Sequence, residues 1–186
     1  MKLLEPFTIK GVTLRNRIVM PAMDTNMGDE DGVIYEELMD YYETRAKGEC
    51  GLIIVEAAYF TKRGSGTETM LNISDDDRVD DFAELVARIT AHGSQAMLQI
   101  YHAGCQASEF MTGHTPEAPS DVPFELSGEI PEPLTKERIA ELVDGYAQAS
   151  RRAQEAGFVG VEIHAGHGYL LNQFLSKINN KRDDEY

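Results

Sequence analysis

Basic residues are scarce in this sequence. Its 186 residues include 17 Lys and Arg against 32 Asp and Glu, which gives a formal net charge of −15 at pH 7. A phosphate backbone or an anionic membrane attracts a basic surface and repels an acidic one. The composition therefore argues against nucleic acid and anionic lipid as partners.

Cysteine and long apolar runs are also rare. The two cysteines, Cys50 and Cys105, lie far apart and share no metal-ligand spacing, so neither a disulfide framework nor a zinc site is expected. No window approaches the roughly 18 apolar residues of a membrane span, and the first residues show no secretory signal. We expect a cytoplasmic protein.

Hydrophobic periodicity predicts three amphipathic helices. With 42% hydrophobic residues, the chain is long enough to form one globular domain over residues 1–186. Apolar residues recur at three- and four-residue spacing in 36–47, 80–91 and 135–156, the pattern of a helix with one buried face. The third helix begins at Thr135, a residue type that favours the N-cap position.

Four continuous apolar segments alternate with these helices. They span residues 17–20, 51–57, 95–101 and 158–164, and a predicted β-hairpin over 7–14 precedes them. Strands that are hydrophobic throughout are typical of a parallel sheet covered on both faces. The sequence therefore predicts an α/β fold with about four parallel strands.

Two architectures fit this order of elements. A doubly wound sheet would place a Gly-rich phosphate turn after its first strand, and Pro21–Asn26 is not such a turn. A (β/α)8 barrel needs eight strands and about 250 residues, of which this chain supplies half. In both architectures the chemistry lies at the carboxyl ends of the strands.

Polar residues follow the fourth strand in a pattern that can carry chemistry. His164 and His167 could donate hydrogen bonds to a developing oxyanion, and Tyr169 could deliver a proton. In a structural alternative the two histidines cap the next helix and Tyr169 packs within it. A metal site is a third interpretation, but it needs further ligands that the sequence does not place nearby.

The sequence closely resembles the old yellow enzyme family over its whole length. The resemblance is carried, in order, by Leu14–Met23, Gly51–Ala57, Gln99–Gly104, Gly160–Ser176, Asn180–Arg182 and Asp184–Tyr186. It implies the N-terminal half of a TIM (β/α)8 barrel with an N-terminal β-hairpin cap. It also implies an FMN-dependent oxidoreductase that reduces the C=C bond of activated alkenes, such as enones and enoates, with NADH or NADPH as the electron donor.

The resemblance also implies the residues of the cofactor site. Pro21, Ala22 and Met23 are expected to lie along the FMN, mostly through their backbone. Ala57 and Gln99 are expected to contact the isoalloxazine and its pyrimidine edge. The flavin would supply the redox chemistry, and the protein would supply binding and orientation.

The catalytic residues implied by the family are His164, His167 and Tyr169. The histidine pair would bind the activating group of the substrate, so that the alkene is polarised toward hydride transfer to its β-carbon. Tyr169 would then protonate the α-carbon. No metal is expected in this site.

Three positions depart from the family's pattern. Asp24 stands where threonine, cysteine or glycine is common, and we expect its side chain to point to solvent; directed inward, it would lower the flavin potential. Cys105 replaces a frequent arginine, and Asn26 stands where some relatives have a substrate-lining tyrosine. Met27, Tyr59 and Phe60 could line the pocket, but packing in the core or on the surface is the expected role of each.

The family's FMN phosphate site lies in loops after the seventh and eighth strands, which this sequence does not include. We therefore expect either a fragment or one partner of a split barrel, completed by a homo-oligomer or by a complementing half-barrel. The main alternative is a non-catalytic half-barrel that needs a partner chain to bind flavin. A flavin dehydrogenase acting on amines is a second rival. An iron–sulfur cluster and FAD would belong only to a C-terminal extension.

Overall fold

The structure, a computed structural model, describes residues 1–186. Its strands are β1 (Phe7–Ile9), β2 (Val12–Leu14), β3 (Val19–Met20), β4 (Leu52–Tyr59), β5 (Leu71–Asn72), β6 (Gln95–Tyr101), β7 (Glu117–Ala118), β8 (Glu132–Pro133) and β9 (Gly160–Ile163). Its helices are α1 (Glu36–Lys47), α2 (Val79–Thr90), α3 (Glu109–Thr112), α4 (Lys136–Glu155) and α5 (Leu170–Leu175). No helix has the length and apolar character needed to cross a membrane.

A parallel sheet in the order β3-β4-β6-β9 forms the centre of the fold. Val19 pairs with Leu52, Leu52 pairs with Gln95, and Met97 pairs with Gly160. Each main strand therefore lies beside the next one along the chain, as in the first half of a (β/α)8 barrel. The short strand β5 adds to the carboxyl end of β4.

The helices α1, α2 and α4 cover one face of this sheet. Strand side chains alternate between faces, so Ile53, Val55, Leu98 and Ile100 all point into this helical layer. The largest side chains buried with them from the helices are Tyr42, Phe82, Leu85 and Ile89. This layer is the main hydrophobic core, and it fixes the strands whose ends carry the site.

The opposite face of the sheet corresponds to the interior of the barrel. Leu52, Ile54 and Met97 pack there against Leu14 of the hairpin. The antiparallel hairpin β1–β2 was predicted, and its position confirms the expected cap over the amino end of the strands. The carboxyl ends of the strands therefore remain accessible for a site.

A β-bulge in β4 gives the buried Glu56 a special position. The pairing of β4 with β6 shifts between Val55 and Ala57, so Glu56 is the extra residue of the bulge. Its carboxylate accepts hydrogen bonds from the Tyr42 hydroxyl (2.9 Å) and from the backbone N–H of Thr25 (3.1 Å). Burial raises the pKa of Glu56 despite these bonds. The bulge thereby ties α1 and the loop after β3 to the sheet.

The predicted helices and strands agree closely with the structure. The bounds of α1 and β6 are those expected, and Thr135 is the N-cap of α4, its hydroxyl accepting from the Arg138 N–H at 3.1 Å. The first strand is shorter than predicted. The Asn16 side chain accepts the hydrogen bond of the Ile18 N–H (3.0 Å), which removes that donor from the sheet.

Candidate active site

Polar side chains from three strand ends meet at one cavity of about 190 Å³. Its lining residues come from the loop after β3, from the end of β6 and from the segment after β9. They are Ala22, Met23, Asp24, Gln99, Tyr101, His164, His167 and Tyr169. The cavity lies at the carboxyl end of the parallel strands, where barrel enzymes place their chemistry.

The two histidines lie against each other at this cavity. Nδ1 of His167 is 3.4 Å from Nε2 of His164, and Nδ1 of His164 accepts from the Gly166 N–H at 3.3 Å. Because Nδ1 of His164 is an acceptor, its proton is on Nε2. Burial and the neighbouring His167 lower the pKa of His164, so it is neutral at pH 7. His164 therefore presents an N–H donor without a positive charge.

Tyr169 stands edge-on to both His164 and Tyr101. The ring centroids are 4.9 Å apart for Tyr169 and His164, and 4.5 Å apart for Tyr169 and Tyr101. Burial and the adjacent Tyr169 phenol raise the pKa of Tyr101, so Tyr101 stays protonated. The structure brings the predicted His164, His167 and Tyr169 together and adds Tyr101 to them.

The alternative in which the histidines cap α5 does not fit. Tyr169 is the N-cap residue of α5, and its side chain makes no capping bond. The side chains of His164 and His167 bond to Gly166 and to each other rather than to the helix backbone. Their arrangement therefore needs an explanation other than helix capping.

The predicted cofactor residues divide into two groups. Ala22, Met23 and Gln99 line the cavity, whereas Pro21 and Ala57 do not border it. Pro21 precedes Ala22 directly. Ala57 is buried on the barrel side of the sheet with Tyr59 and Tyr101, as expected for a residue that packs beneath the site.

Glu162 is a site residue that the sequence analysis missed. It pairs with Gln99 across the sheet, and its carboxylate accepts a hydrogen bond from the Gln99 Nε2 at 2.7 Å. This bond fixes the carboxamide and leaves its oxygen as an acceptor. The available signal was strand alternation, because Glu162 lies two residues before His164 and therefore faces the same side.

Asp24 is exposed to solvent, as expected, but it also lines the candidate site. Its side chain borders the cavity that His164 and Tyr169 also line. Partial desolvation by the surrounding protein raises the pKa of Asp24. The hydrogen bond that its carboxylate accepts from the Ala57 backbone lowers the pKa by a smaller amount. The packing expected of Tyr59 and Phe60 is confirmed, since both are buried.

The donor set suits a flat, uracil-like ring system such as the isoalloxazine of FMN. The small side chain of Ala22 leaves room for a ring, and the Gln99 carboxamide matches the hydrogen-bonding edge of a pyrimidine. The only ordinarily charged side chain at the cavity is the carboxylate of Asp24. The cavity can therefore hold a ring and a carbonyl compound, but it has no cation for a phosphate.

Comparisons with known proteins decide the family. The model described as "NADH:flavin oxidoreductase / NADH oxidase family" matches residues 2–186. The chain belongs to this family. The predicted resemblance to old yellow enzymes is thereby confirmed.

Relatives of this flavin oxidoreductase family are considerably longer than the chain. The chain is 42% identical over 186 residues to an NADPH dehydrogenase of Bacillus licheniformis, and the match covers 100% of this chain and 54% of the relative. It is 41% identical over 180 residues to an NADH oxidase of Thermoanaerobacter brockii, covering 96% of this chain and 28% of the relative. The chain spans about half the length of the curated NADPH dehydrogenases it matches.

Solved structures of the family share the fold. The old yellow enzyme homologue from Zymomonas mobilis superposes with a TM-score of 0.90 at 31% identity, covering 100% of this chain and 54% of that one. Morphinone reductase in complex with tetrahydroNAD superposes with a TM-score of 0.92 at 30% identity, and the match covers 100% of this chain and 55% of that one. The expected N-terminal half of a TIM barrel is thereby confirmed.

Proposed function

We propose that residues 1–186 form one domain that carries the substrate-binding residues of an FMN-dependent oxidoreductase. Its reaction is the reduction of the C=C bond of activated alkenes, such as enones and enoates, with NADH or NADPH as the donor. The observation that carries this proposal is that His164, His167 and Tyr169 line one cavity together with Gln99. Family membership supports FMN and a nicotinamide as the redox partners.

The cofactor would be held by residues after three strands. Pro21, Ala22 and Met23 would lie along the ring through their backbone, Ala57 would pack beneath it, and the oxygen of Gln99 would accept from its pyrimidine edge. The bound FMN supplies hydride transfer between nicotinamide and alkene. Glu162 keeps the Gln99 carboxamide in one orientation.

The histidine pair would bind the activating carbonyl of the alkene. The Nε2–H of His164, which faces Nδ1 of His167 in the structure, would turn to the substrate and donate to its carbonyl oxygen together with an N–H of His167. Negative charge would develop on that oxygen during reduction of the alkene. A neutral His164 is an advantage, because its desolvation costs less than that of a cation. The pair therefore stabilises an enolate-like charge.

Tyr169 would complete the reaction by protonating the α-carbon. A phenol is a weak acid and a suitable proton donor for a carbanion-like centre. Tyr101, edge-on to Tyr169, would restrict the orientation of that phenol. Each of the three catalytic residues thus has a separate task.

A second candidate function is a half-barrel that binds flavin only with a partner chain. The absence of a cation at the cavity favours it, because the phosphate of FMN would need one from elsewhere. A homo-oligomer or a complementing half-barrel, the cytoplasmic location, and any iron–sulfur cluster or FAD stay predictions. The remaining alternative is a flavin dehydrogenase that acts on amines. Oxidation of an amine rather than reduction of an enone would identify it.

The first test is the visible spectrum of the purified chain after incubation with FMN and desalting, with and without p-hydroxybenzaldehyde as the phenol. We expect retained flavin absorbance and a long-wavelength charge-transfer band. The His164→Ala/His167→Ala variant should retain FMN and lose the band, because the phenolate then has no donors. A colourless protein would contradict flavin binding by this chain alone, and an unchanged band in the double variant would contradict the donor pair.

Asp24 offers a prediction about the flavin potential. A carboxylate at the cavity disfavours the anionic reduced flavin, so Asp24→Asn should raise the midpoint potential at pH 8 by about 30 mV, or ~1.4 kcal/mol for a two-electron couple. Because the pKa of Asp24 is raised, the difference should shrink as the pH falls and the wild-type carboxyl takes up a proton. Spectroelectrochemical titration measures it, with Asp144→Asn on the exposed surface of α4 as the control. Equal midpoint potentials in Asp24→Asn and Asp144→Asn would show that the Asp24 carboxylate does not act on the flavin.

A further inference from the structure

Gln173 connects two loops of the candidate site through a single buried amide. Its side chain is 0% exposed. Oε1 accepts from the Cys105 N–H at 3.1 Å, while Nε2 donates to the Ala103 carbonyl at 3.1 Å and to the Gly168 carbonyl at 2.7 Å. The first two groups belong to the loop after β6, and the third lies between His167 and Tyr169. Both N–H groups of the amide are therefore used.

The loop after β6 encloses this amide without spare room. Gly104 has a φ of 64°, and a Cβ at this position would overlap Oε1 of Gln173. Only glycine permits both that backbone conformation and that close approach. The amide is therefore held in one place by the loop, and it can in turn hold the Gly168 carbonyl.

Asn172 holds the other side of the same residue. Its Oδ1 accepts from the Gly168 N–H at 3.0 Å, so the two neighbouring amides of α5 bind both backbone polar groups of Gly168. The carbonyl of His167 accepts from Nε2 of Gln106 at 2.9 Å. Three side-chain amides therefore fix the peptide groups on either side of Gly168.

The backbone that they fix is in an unfavourable conformation. His167 has a φ of 56° and Gly168 a φ of 78°, so two consecutive residues are left-handed. This conformation is uncommon for a residue that has a side chain, so contacts with its surroundings are expected to stabilise it at His167. Free of the amides, the loop would relax, and the imidazole of His167 would leave its position beside His164.

We propose that Asn172 and Gln173 are positioning residues that clamp Gly168 and thereby place His167 and Tyr169 at the cavity. The proposal deepens the proposed function, on which the roles of His167 and Tyr169 rest. Neither amide lines the cavity. They act on the reaction only through the loop backbone.

Two pairs of variants test the clamp. Gln173→Glu is nearly isosteric but replaces the N–H donors with an acceptor that faces two carbonyls, and Gln173→Met keeps the length without polar groups. Asn172→Leu removes the acceptor for the Gly168 N–H, whereas Asn172→Asp keeps it and should behave as the wild type. Because Asn172 is only half-buried, its variants are expected to retain the fold. Gln154→Glu, exposed on α4, is the matched surface control.

The first readout is NMR of the histidine and tyrosine side chains without FMN. The wild type should show a nuclear Overhauser contact between the His164 and His167 rings and the Nε2–H tautomer of His164. In Gln173→Glu and Asn172→Leu the contact between the two histidines should be lost. The contact between His164 and Tyr101, which depends on the sheet, should persist and shows that the fold is intact.

The second readout is the affinity of the FMN-loaded protein for p-hydroxybenzaldehyde. We expect the dissociation constant to rise at least tenfold in Gln173→Glu and Asn172→Leu and to stay unchanged in Asn172→Asp and Gln154→Glu. Retention of the histidine contact in both disrupting variants would overturn the clamp. The NMR readout needs no flavin. Failure of the chain to bind FMN would therefore contradict the proposed function, and the clamp would still be tested by the NMR measurement.

Discussion

Glu117→Gln is expected to lower the free energy of unfolding at pH 7 by about 3 kcal/mol, because it breaks a buried ion pair by removing one partner. The Glu117 side chain is 2% exposed and accepts two hydrogen bonds from Arg138, each of 2.9 Å. His102, also buried, lies with its Nε2 3.0 Å from the same carboxylate. Glutamine keeps the shape of the side chain but leaves the guanidinium of Arg138 without its buried counter-ion.

The pH dependence of this loss follows from the two buried groups. Burial alone would raise the pKa of Glu117, but the hydrogen bonds from His102 and Arg138 lower it to about 2. Because the pKa of Glu117 is lower in the folded state, its contribution to stability is fully present above the ordinary pKa of 4.5 and is lost as the pH falls toward 2. The wild type and Glu117→Gln should therefore converge in acid.

His102 adds a second acid-sensitive contribution. Burial lowers its pKa, so the folded protein keeps it neutral while the unfolded chain takes up a proton near pH 6.5. The contribution of His102 to the free energy of unfolding is present above pH 6.5 and declines as the pH falls below that value. The stability of the wild type should thus begin to fall before Glu117 is affected.

Urea unfolding followed by circular dichroism between pH 3 and pH 8 measures both effects. The matched control is Glu141→Gln, which removes the other carboxylate partner of Arg138. That side chain is 66% exposed, and its loss should cost less than 1 kcal/mol. Equal stabilities of the Glu117 and Glu141 variants at pH 7 would show that the buried pair contributes no more than a surface pair.

The network around Glu117 also matters for the site. Arg63, in the loop after β4, donates to the Thr115 carbonyl at 2.9 Å, and its guanidinium lies 3.7 Å from Glu117. The loops after β4 and β6 are therefore joined to α4 beside the strand ends. None of these contacts follows from local sequence, because His102, Glu117 and Arg138 are far apart along a segment rich in proline.

Elements governed by local periodicity could be predicted closely. The helix α1 and the strand β6 have the expected bounds because each carries its own pattern of burial, with a period near 3.6 or 2. The short strands β5, β7 and β8 could not be predicted in the same way. Each has two residues, so its pairing depends on the loops that bring it to a partner.

The candidate site shows the same division. His164, His167 and Tyr169 were found because they lie close together in sequence. Tyr101 and Glu162 were missed, although each follows or precedes a predicted site residue by two positions and shares its face of a strand. The role of Gln173 had no signal in the local pattern, because two of its three partners, Ala103 and Cys105, lie in a loop some 70 residues away.

Tyr169→Phe should slow alkene reduction by the FMN-loaded protein by about 10² to 10⁴-fold, the usual contribution of a positioned general acid. The ring, and with it the edge-on contacts to Tyr101 and His164, is retained, so binding of the substrate should change little. The loss should therefore appear in kcat and not in KM. Reduction of the flavin by NADPH, which takes no proton from Tyr169, should keep its wild-type rate.

Two comparisons separate a missing proton from a damaged site. Tyr35→Phe removes a phenol that is 51% exposed and outside the cavity, and it should leave turnover unchanged. A solvent deuterium isotope effect should increase in Tyr169→Phe, because protonation of the α-carbon becomes the slow step once water must supply the proton. Wild-type turnover in Tyr169→Phe would mean that another acid protonates the substrate, and the cavity leaves the imidazoles of His164 and His167 and the phenol of Tyr101 as the groups to test next.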